Sequence, residues 1–276
     1  MSSITTHRSV AGHEEIVPDR LYVLGANIPV AGNVSWVDRT HRGHQRVNCY
    51  LLRGDSRLTL IDTGVAALRE AVLDQLTSLV PPGTPLSVFL TRSEFECTGN
   101  LNAIVDTFNV TSIHTGGGTN PFDAFDVVTS FDRNNEPSRE ILQRGDDVMI
   151  GDGLTVLTPV IRLLRTFWGY EASTKTLFTS DLFSHTVSAG EDGPAVIDSV
   201  GTVADGADLM RRNVYAKFPW LARARTATLR RGLAELFESR EVEILAPTHG
   251  CVLKGRDVVR EHVQFIDRLL ESGEAR

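Results

Sequence analysis

Three stretches of this 276-residue chain share one pattern, an apolar run of strand length that ends abruptly in polar side chains. Leu86–Thr91 (LSVFLT) runs into Arg92-Ser93-Glu94-Phe95-Glu96-Cys97-Thr98-Gly99-Asn100. Leu177-Phe178-Thr179 runs into Ser180-Asp181, and the strand beginning at Val242 runs into Ala246-Pro247-Thr248-His249-Gly250. Uninterrupted apolar runs mark strands covered on both faces. Side chains at the ends of such strands converge on one rim of a sheet, where α/β folds place their ligand sites. Taken singly, Asp181 is as good a helix cap and His249 as good a turn former. Three such ends in one chain point to a site.

The rest of the chain fits a layered α/β sandwich. Arg20–Gly25, Asn48–Arg53 and Leu58–Asp62 read as strands, with a hairpin-type break at Gly54-Asp55. Ala66–Leu79 carries apolar residues at helical spacing and stops at Pro81-Pro82-Gly83; a second helix is predicted from Thr98 to Phe108. Thr111–His114, Asp147–Ile150, Leu154–Ile161 and Thr176–Thr179 complete a strand-rich middle. Helices follow at Asp208–Lys217, Thr226–Ser239 and Val258–Ser272, with Val242–Ala246 a strand between the last two. No repeat or long linker divides the chain, so residues 1–276 are expected to form one domain, with 1–15 a flexible N-terminus.

Charge and cysteine usage exclude some functions. With 28 basic and 35 acidic side chains the net charge is −7, against the basic balance that nucleic-acid and anionic-membrane binders need. No apolar run is long enough to span a bilayer, and the first twenty residues lack a secretory apolar core. Cys49, Cys97 and Cys251 are odd in number and widely spaced, which is no disulfide framework. A reducing cytoplasm is the expected setting. The charge is uneven, however. Residues 209–231 hold seven basic side chains (Arg211, Arg212, Lys217, Arg223, Arg225, Arg230, Arg231) and no acid, which leaves −14 for the remainder. Solvated helix faces account for most such runs, and a docking surface for an acidic protein partner at 211–231 is the sharper alternative.

Several of these segments together resemble the metallo-β-lactamase superfamily, and within it the oxygen-binding di-iron domain of flavodiiron proteins. They are Leu21-Tyr22-Val23-Leu24-Gly25-Ala26, Asn48-Cys49-Tyr50-Leu51-Leu52, Leu60-Ile61-Asp62-Thr63-Gly64, Trp168-Gly169-Tyr170, the strand ending at Asp181, and Ile244–Gly250. The resemblance spans residues 16 to 265. It implies a four-layer αββα sandwich with two metals in a groove along one edge of the sheets, bound by His-x-Glu-x-Asp-His, a further His, a bridging Asp and a last His. Laid on this chain, Arg92 stands at the first His, Glu94 at the Glu, Glu96 at the Asp and Cys97 at the second His. Arg162, with Arg165 as the fallback, stands at the next His; Asp181 matches the bridging Asp and His249 the last His.

A guanidinium has no free lone pair near neutral pH, so neither Arg92 nor Arg162 can ligate a metal. Each also sets a fixed positive charge where a cation would sit, and like charges about 4 Å apart repel by roughly 4 kcal/mol at an effective dielectric near 20. The expectation is therefore no cofactor. The alternative is a single zinc or iron ion on Glu96, Cys97, Asp181 and His249, an O/S/O/N set. In the metal-free version Arg92 and Arg162 balance Glu94, Glu96 and Asp181, and the site works on a small organic substrate, anionic ones included, with a carboxylate or His249 as base.

His41, His44, Trp168 and Tyr215, with Trp36, are candidate pocket walls, although loop histidines and core aromatics fit the same pattern. An atypical enzyme is thus the leading expectation. A non-catalytic binding module is the alternative, and reduction of oxygen or nitric oxide at a di-iron centre the third.

Overall fold

The computed structural model describes residues 12–32, 34–116, 137–145 and 148–274. Among these, two seven-stranded sheets lie face to face. The first has the order β1 (Glu14–Val17), β2 (Leu21–Pro29), β3 (His44–Arg53), β4 (Leu58–Ile61), β5 (Leu86–Phe89), β6 (Val110–Thr115), β7 (Ser138–Ile141). The second runs β12 (Val196–Ile197), β14 (Val252–Lys254), β13 (Ile244–Pro247), β11 (Thr176–Ser180), β10 (Trp168–Glu171), β9 (Leu154–Leu157), β8 (Met149–Ile150). Helices α1 (Arg69–Leu79), α2 (Phe95–Thr98) and α3 (Leu101–Thr107) belong to the first half. Helices α4 (Thr202–Lys217), α5 (Ala227–Ser239) and α6 (Arg256–Glu274) belong to the second. This is the αββα sandwich.

The period of two within each strand builds it. In β3, Tyr50 and Leu52 face the second sheet, and with Phe89 of β5 they share a cluster with its Phe178, Ile244 and Ala246. Cys49 and Leu51 face outward against Val72 and Leu76 of α1 and Leu101 and Ile104 of α3. In the second sheet Phe178 and Ala246 point inward while Leu177 and Leu245 pack under α4, α5 and α6. Strands buried on both faces have to read as continuous apolar runs, which is why the sequence announced them.

Several element boundaries differ from the expectation, for identifiable reasons. The β2–β3 hairpin is longer at its open end, with register from Leu21↔Leu52 to Pro29↔His44. Gly25 hid this, because a strand glycine reads as an end. Here it has φ +102° and packs so tightly that a Cβ would sit 2.0 Å from the Val47 carbonyl oxygen. Its amide donates to Gln75 Oε1 at 2.7 Å. The helix expected from Thr98 is two helices, α2 and α3, interrupted at Gly99-Asn100. Asn100 Nδ2 donates there to the carbonyls of Thr63 and Val65 (2.8 and 3.0 Å).

Helix α4 starts six residues before its expected first turn. Strand β9 ends at Leu157, short of the expected Ile161. Glu14 and Glu15, assigned to the flexible N-terminus, begin β1. The edge strands β7 and β12 were not foreseen; they are too short to carry a pattern. Asp147, expected at a strand start, lies outside the described residues. No helix among the described residues is long and apolar enough to cross a membrane.

Phe178 is fully buried between the sheets, its ring 5.3 Å from that of Tyr50 in an edge contact. Phe178→Ala is expected to cost about 3–5 kcal/mol of stability, read from the midpoint of urea unfolding at unchanged m-value; a loss under about 1 kcal/mol would contradict the inter-sheet packing described here.

Candidate functional site

The C-terminal ends of β4, β5, β11 and β13 meet at one edge of the sandwich, stitched by hydrogen bonds between the two sheets. Asp62, just after β4, accepts from the Thr91 amide (2.8 Å) and hydroxyl, and from Thr248 Oγ1 (2.9 Å). Thr91 Oγ1 also lies 2.9 Å from Ser180 Oγ, and the Thr248 amide donates to the Ser180 carbonyl at 2.8 Å. Asp62 and Ser180 both take left-handed backbone (φ +57° and +52°), which costs an L-residue energy and persists only where its surroundings enforce it. Burial pushes the Asp62 carboxyl up to about 6, with the hydrogen bonds from Thr91 and Thr248 pulling the other way.

On this belt sits a buried ionic cluster. Arg92, 1% exposed, directs Nη1 to both Glu94 Oε2 and Asp181 Oδ2, and Nη2 to Glu96 Oε1 at 2.7 Å. Lys217, from the last turn of α4, places Nζ 3.0 Å from Asp181 Oδ1 and 3.5 Å from both Glu96 Oε1 and Glu94 Oε2. His249 lies across from them, with Nε2 3.7 Å from Glu96 Oε1 and Nδ1 3.7 Å from Asp181 Oδ1. Neither ring nitrogen has a hydrogen-bond partner, although both are buried. The Trp36 indole stacks on the imidazole at 4.3 Å and 9°, held by its Nε1–H donating to Gln45 Oε1 at 2.8 Å.

Electrostatics follow from burial and charge. Burial works against the Arg92 cation, and Asp181, Glu96 and Glu94 together hold it firmly charged. Burial opposes ionisation of Glu96, but the positive charges beside it, Arg92 first and Lys217 with it, outweigh it and bring the carboxyl down to about 2. Burial raises Asp181, against the pull of Arg92 and Lys217. His249 is driven well down by burial, reinforced by Lys217 and Arg92, and is neutral. Three carboxylates against two cations leave the cluster at −1.

The structure therefore brings together Arg92, Glu94, Glu96, Asp181 and His249, and corrects other assignments. Arg162 is not in the cluster. Its neighbour Ile161 is buried beneath the second sheet's helices, which turns the guanidinium away to the Pro159 carbonyl (2.8 Å). Arg165 instead reaches the Gly116 carbonyl at 2.6 Å. Lys217 takes the role expected of Arg162. In sequence it sits within the basic run, but its i,i+4 spacing from Asn213 puts both on one buried helix face, and that spacing is the signal for it.

Cys97 is also misassigned as a ligand. Burial holds it as a thiol, Sγ contacts Thr91 Oγ1 at 3.5 Å, and it is not among the donor groups that converge. Trp168 is a core residue under α4–α6. Tyr215 packs on that core too, while Asn213, Val214 and Lys217 of the same helix line the small cavity beside the cluster. His41 lies on the covering loop, residues 34–43, which carries Trp36; His44 begins β3, with its Nε2 3.8 Å from Glu191. In the basic run, Arg211 and Arg212 pair with Asp208, and Arg230 pairs with Asp267 and Glu271.

Two metal positions are implied by the sequence resemblance, and they fare differently. The first does not fit a metal, because the Arg92 guanidinium fills it and offers no lone pair. The second fits a single ion: Glu96, Asp181 and His249 each present one donor atom, all within 4.8 Å of one another. Buried histidine nitrogens without partners call for an occupant. A Lys217 ammonium resting on the same carboxylate oxygens shows that the position accepts a cation.

No family model matches the sequence, and no curated protein matches it. Among solved structures, the chain is similar to rubredoxin oxygen:oxidoreductase from Desulfovibrio gigas (TM-score 0.71, 20% identity, 94% of this chain, 61% of that one). It is also similar to the flavodiiron protein of Giardia intestinalis (0.66, 16%, 95% and 60%) and to a fragment of a diflavin flavoprotein from Nostoc sp. (0.65, 14%, 96% and 99%). The chain has the metallo-β-lactamase-type fold of the flavodiiron core. It spans about three fifths of the first two of these chains, 61% and 60%.

Two outcomes test the electrostatics. Arg92→Met leaves Glu94 and the buried Glu96 and Asp181 facing one ammonium and is expected to cost about 3–5 kcal/mol in chemical unfolding; a cost below 1 kcal/mol would contradict the pairing. Asp62 has a folded pKa above its unfolded value, so its contribution is fully present below about pH 4 and is lost as pH rises to about 6. That amounts to roughly 3 kcal/mol. Asp62→Asn is expected to abolish this part of the pH–stability slope, and an identical slope in both proteins would contradict it.

Proposed function

We propose that this chain is a mononuclear metal-dependent enzyme on the flavodiiron-type fold, acting on a small organic substrate. Glu96, Asp181 and His249 would hold one divalent ion, and Arg92 stands in for the second. The observation that carries this is the charge count around His249. Glu94, Glu96 and Asp181 carry −3 and the immovable Arg92 returns +1, so one divalent ion neutralises the cluster, whereas the Lys217 ammonium leaves it at −1. A two-carboxylate, one-imidazole donor set suits zinc, iron or manganese. Two-iron reduction of oxygen or nitric oxide, the third sequence expectation, needs the position that Arg92 fills.

When bound, such an ion supplies Lewis acidity and makes a water more acidic. The protein's own residues supply the rest. Glu94, with 28% of its side chain exposed, is the member of the cluster that reaches solvent and is placed to take a proton from a water or substrate hydroxyl. Arg92 presents fixed positive charge and Lys217 a movable one. With the metal-free cluster at −1 an anionic substrate is repelled; a divalent ion in place of the ammonium brings the cluster to neutral, and the Lys217 ammonium, released to its rim, offers an anionic group a partner. Trp36 covers His249 and the adjoining cavity is only about 10 Å³ in volume, so substrate entry requires the covering loop to move. The loop is held to α4 by the Asp38 amide donating to Asn213 Oδ1 (3.1 Å) and by Arg212 beside Asp38. Three free buried cysteines are in keeping with the cytoplasmic setting proposed from the sequence.

A second reading is favoured by the same closure. Every carboxylate already faces a cation and the cavity is water-sized, as in an inert ion-pair network of a binding module. Against it, buried ion pairs rarely add net stability over apolar packing, and two unpartnered imidazole nitrogens cost still more. Isothermal titration of the chelator-washed protein with Co²⁺ and Zn²⁺ separates the two. One ion per chain, lost in His249→Ala and Glu96→Gln, is expected; no binding supports the inert network, and two ions per chain would overturn the assignment of Arg92.

A further inference from the structure

The ammonium of Lys217 lies on Asp181 Oδ1 and Glu96 Oε1, the same two oxygen atoms that face Nδ1 and Nε2 of His249. A divalent ion held by those three side chains would need these oxygens, and it would stand within a few ångströms of a like charge. Arg92 is in a different situation. Its fork is engaged with three carboxylates through two nitrogens and is fully enclosed. Lys217 is a point charge on a four-carbon stem, with several rotatable bonds between the helix and the ammonium. It also borders the small cavity that Asp181, Ser184 and Asn213 share with Trp36.

Resting on the mononuclear reading above, we propose that Lys217 is a built-in competitor for the metal position: its ammonium holds Glu96 and Asp181 together in the metal-free protein and is displaced when a divalent ion binds. The lysine then sets the metal affinity of the site without ligating the ion. It keeps the carboxylates paired, and so the fold intact, between loading events, and it makes the site selective for ions that bind strongly enough to expel it. Placed in the last turn of α4, it also couples loading to the helix that holds the covering loop through Asn213 and Arg212. Displacement of the ammonium would therefore be felt where Trp36 closes the site.

The test uses the whole chain and two readouts. Co²⁺ affinity, from the visible absorption of the bound ion, is measured for the wild type, Lys217→Met and Lys217→Gln, with circular dichroism to verify folding. In parallel, the wild type is labelled with an amine-acetylating reagent with and without Co²⁺, and acetylation at Lys217 is read by mass spectrometry. The expected result is at least tenfold tighter Co²⁺ binding in both variants, and Lys217 labelling that rises severalfold on loading the wild type. Wild-type binding with unchanged or weaker affinity in the folded variants, or labelling that metal does not alter, would overturn the competition while leaving the mononuclear site standing. Should neither variant fold, the labelling experiment on the wild type decides alone. If neither wild type nor variants bind Co²⁺, the mononuclear reading falls and this inference with it.

Discussion

A single enclosed guanidinium organises this site. Arg92 leaves the end of β5 and touches carboxylates from three places: Glu94 and Glu96 at the start of α2, and Asp181 at the end of β11 in the other sheet. Without it, three acids drawn to one sheet edge by the fold could not all stay ionised. With it, Glu96 is held near 2, and the two halves of the sandwich are tied by charge directly above the Asp62–Thr91–Ser180–Thr248 hydrogen-bonded belt. The strained backbone at Asp62 and Ser180 belongs to the same arrangement, since both residues turn their chains at the point where the sheets must meet.

Arg92 also decides what chemistry the fold can host. A guanidinium is cationic like a metal, yet it is planar, has five donors and accepts nothing. It can neutralise the carboxylates a metal would have neutralised, but it cannot exchange a ligand or change oxidation state. The neighbouring position differs because its cation is Lys217, which is movable, and because His249 faces it with an unspent lone pair. One half of the site is permanently closed to metals and the other is held by a charge that can leave. That asymmetry separates this chain chemically from a two-metal centre, though the backbone around it is shared.

The fold was largely legible in the sequence because burial on both faces of a sandwich leaves nothing for its strands to be but apolar, and because their polar ends stand out against that background. The runs ending at Arg92, Asp181 and His249 were found this way, and they form the cluster. What sequence reading missed has a common cause. Arg162 was placed by counting along a loop, and loop geometry is set by anchors such as Ile161 rather than by residue number. Lys217 was hidden among arginines that do lie at the surface, because charge runs are read by composition and burial is decided by helix face. Cys97 had the right neighbours in sequence, but its thiol turns to Thr91. Gly25 looked like a strand end because a close approach of two backbones has no signature other than the missing side chain.

The central claim is that the fold's two cation positions have parted, one filled for good by Arg92 and one free to take an ion. Crystals soaked in cobalt, with diffraction recorded on both sides of the cobalt absorption edge, test it most directly. The account predicts one anomalous peak, bounded by Glu96, Asp181 and His249, with Arg92 still between Glu94 and Asp181. A second peak at the place of the guanidinium, or an unchanged Lys217 ammonium with no peak at saturating cobalt, would contradict it.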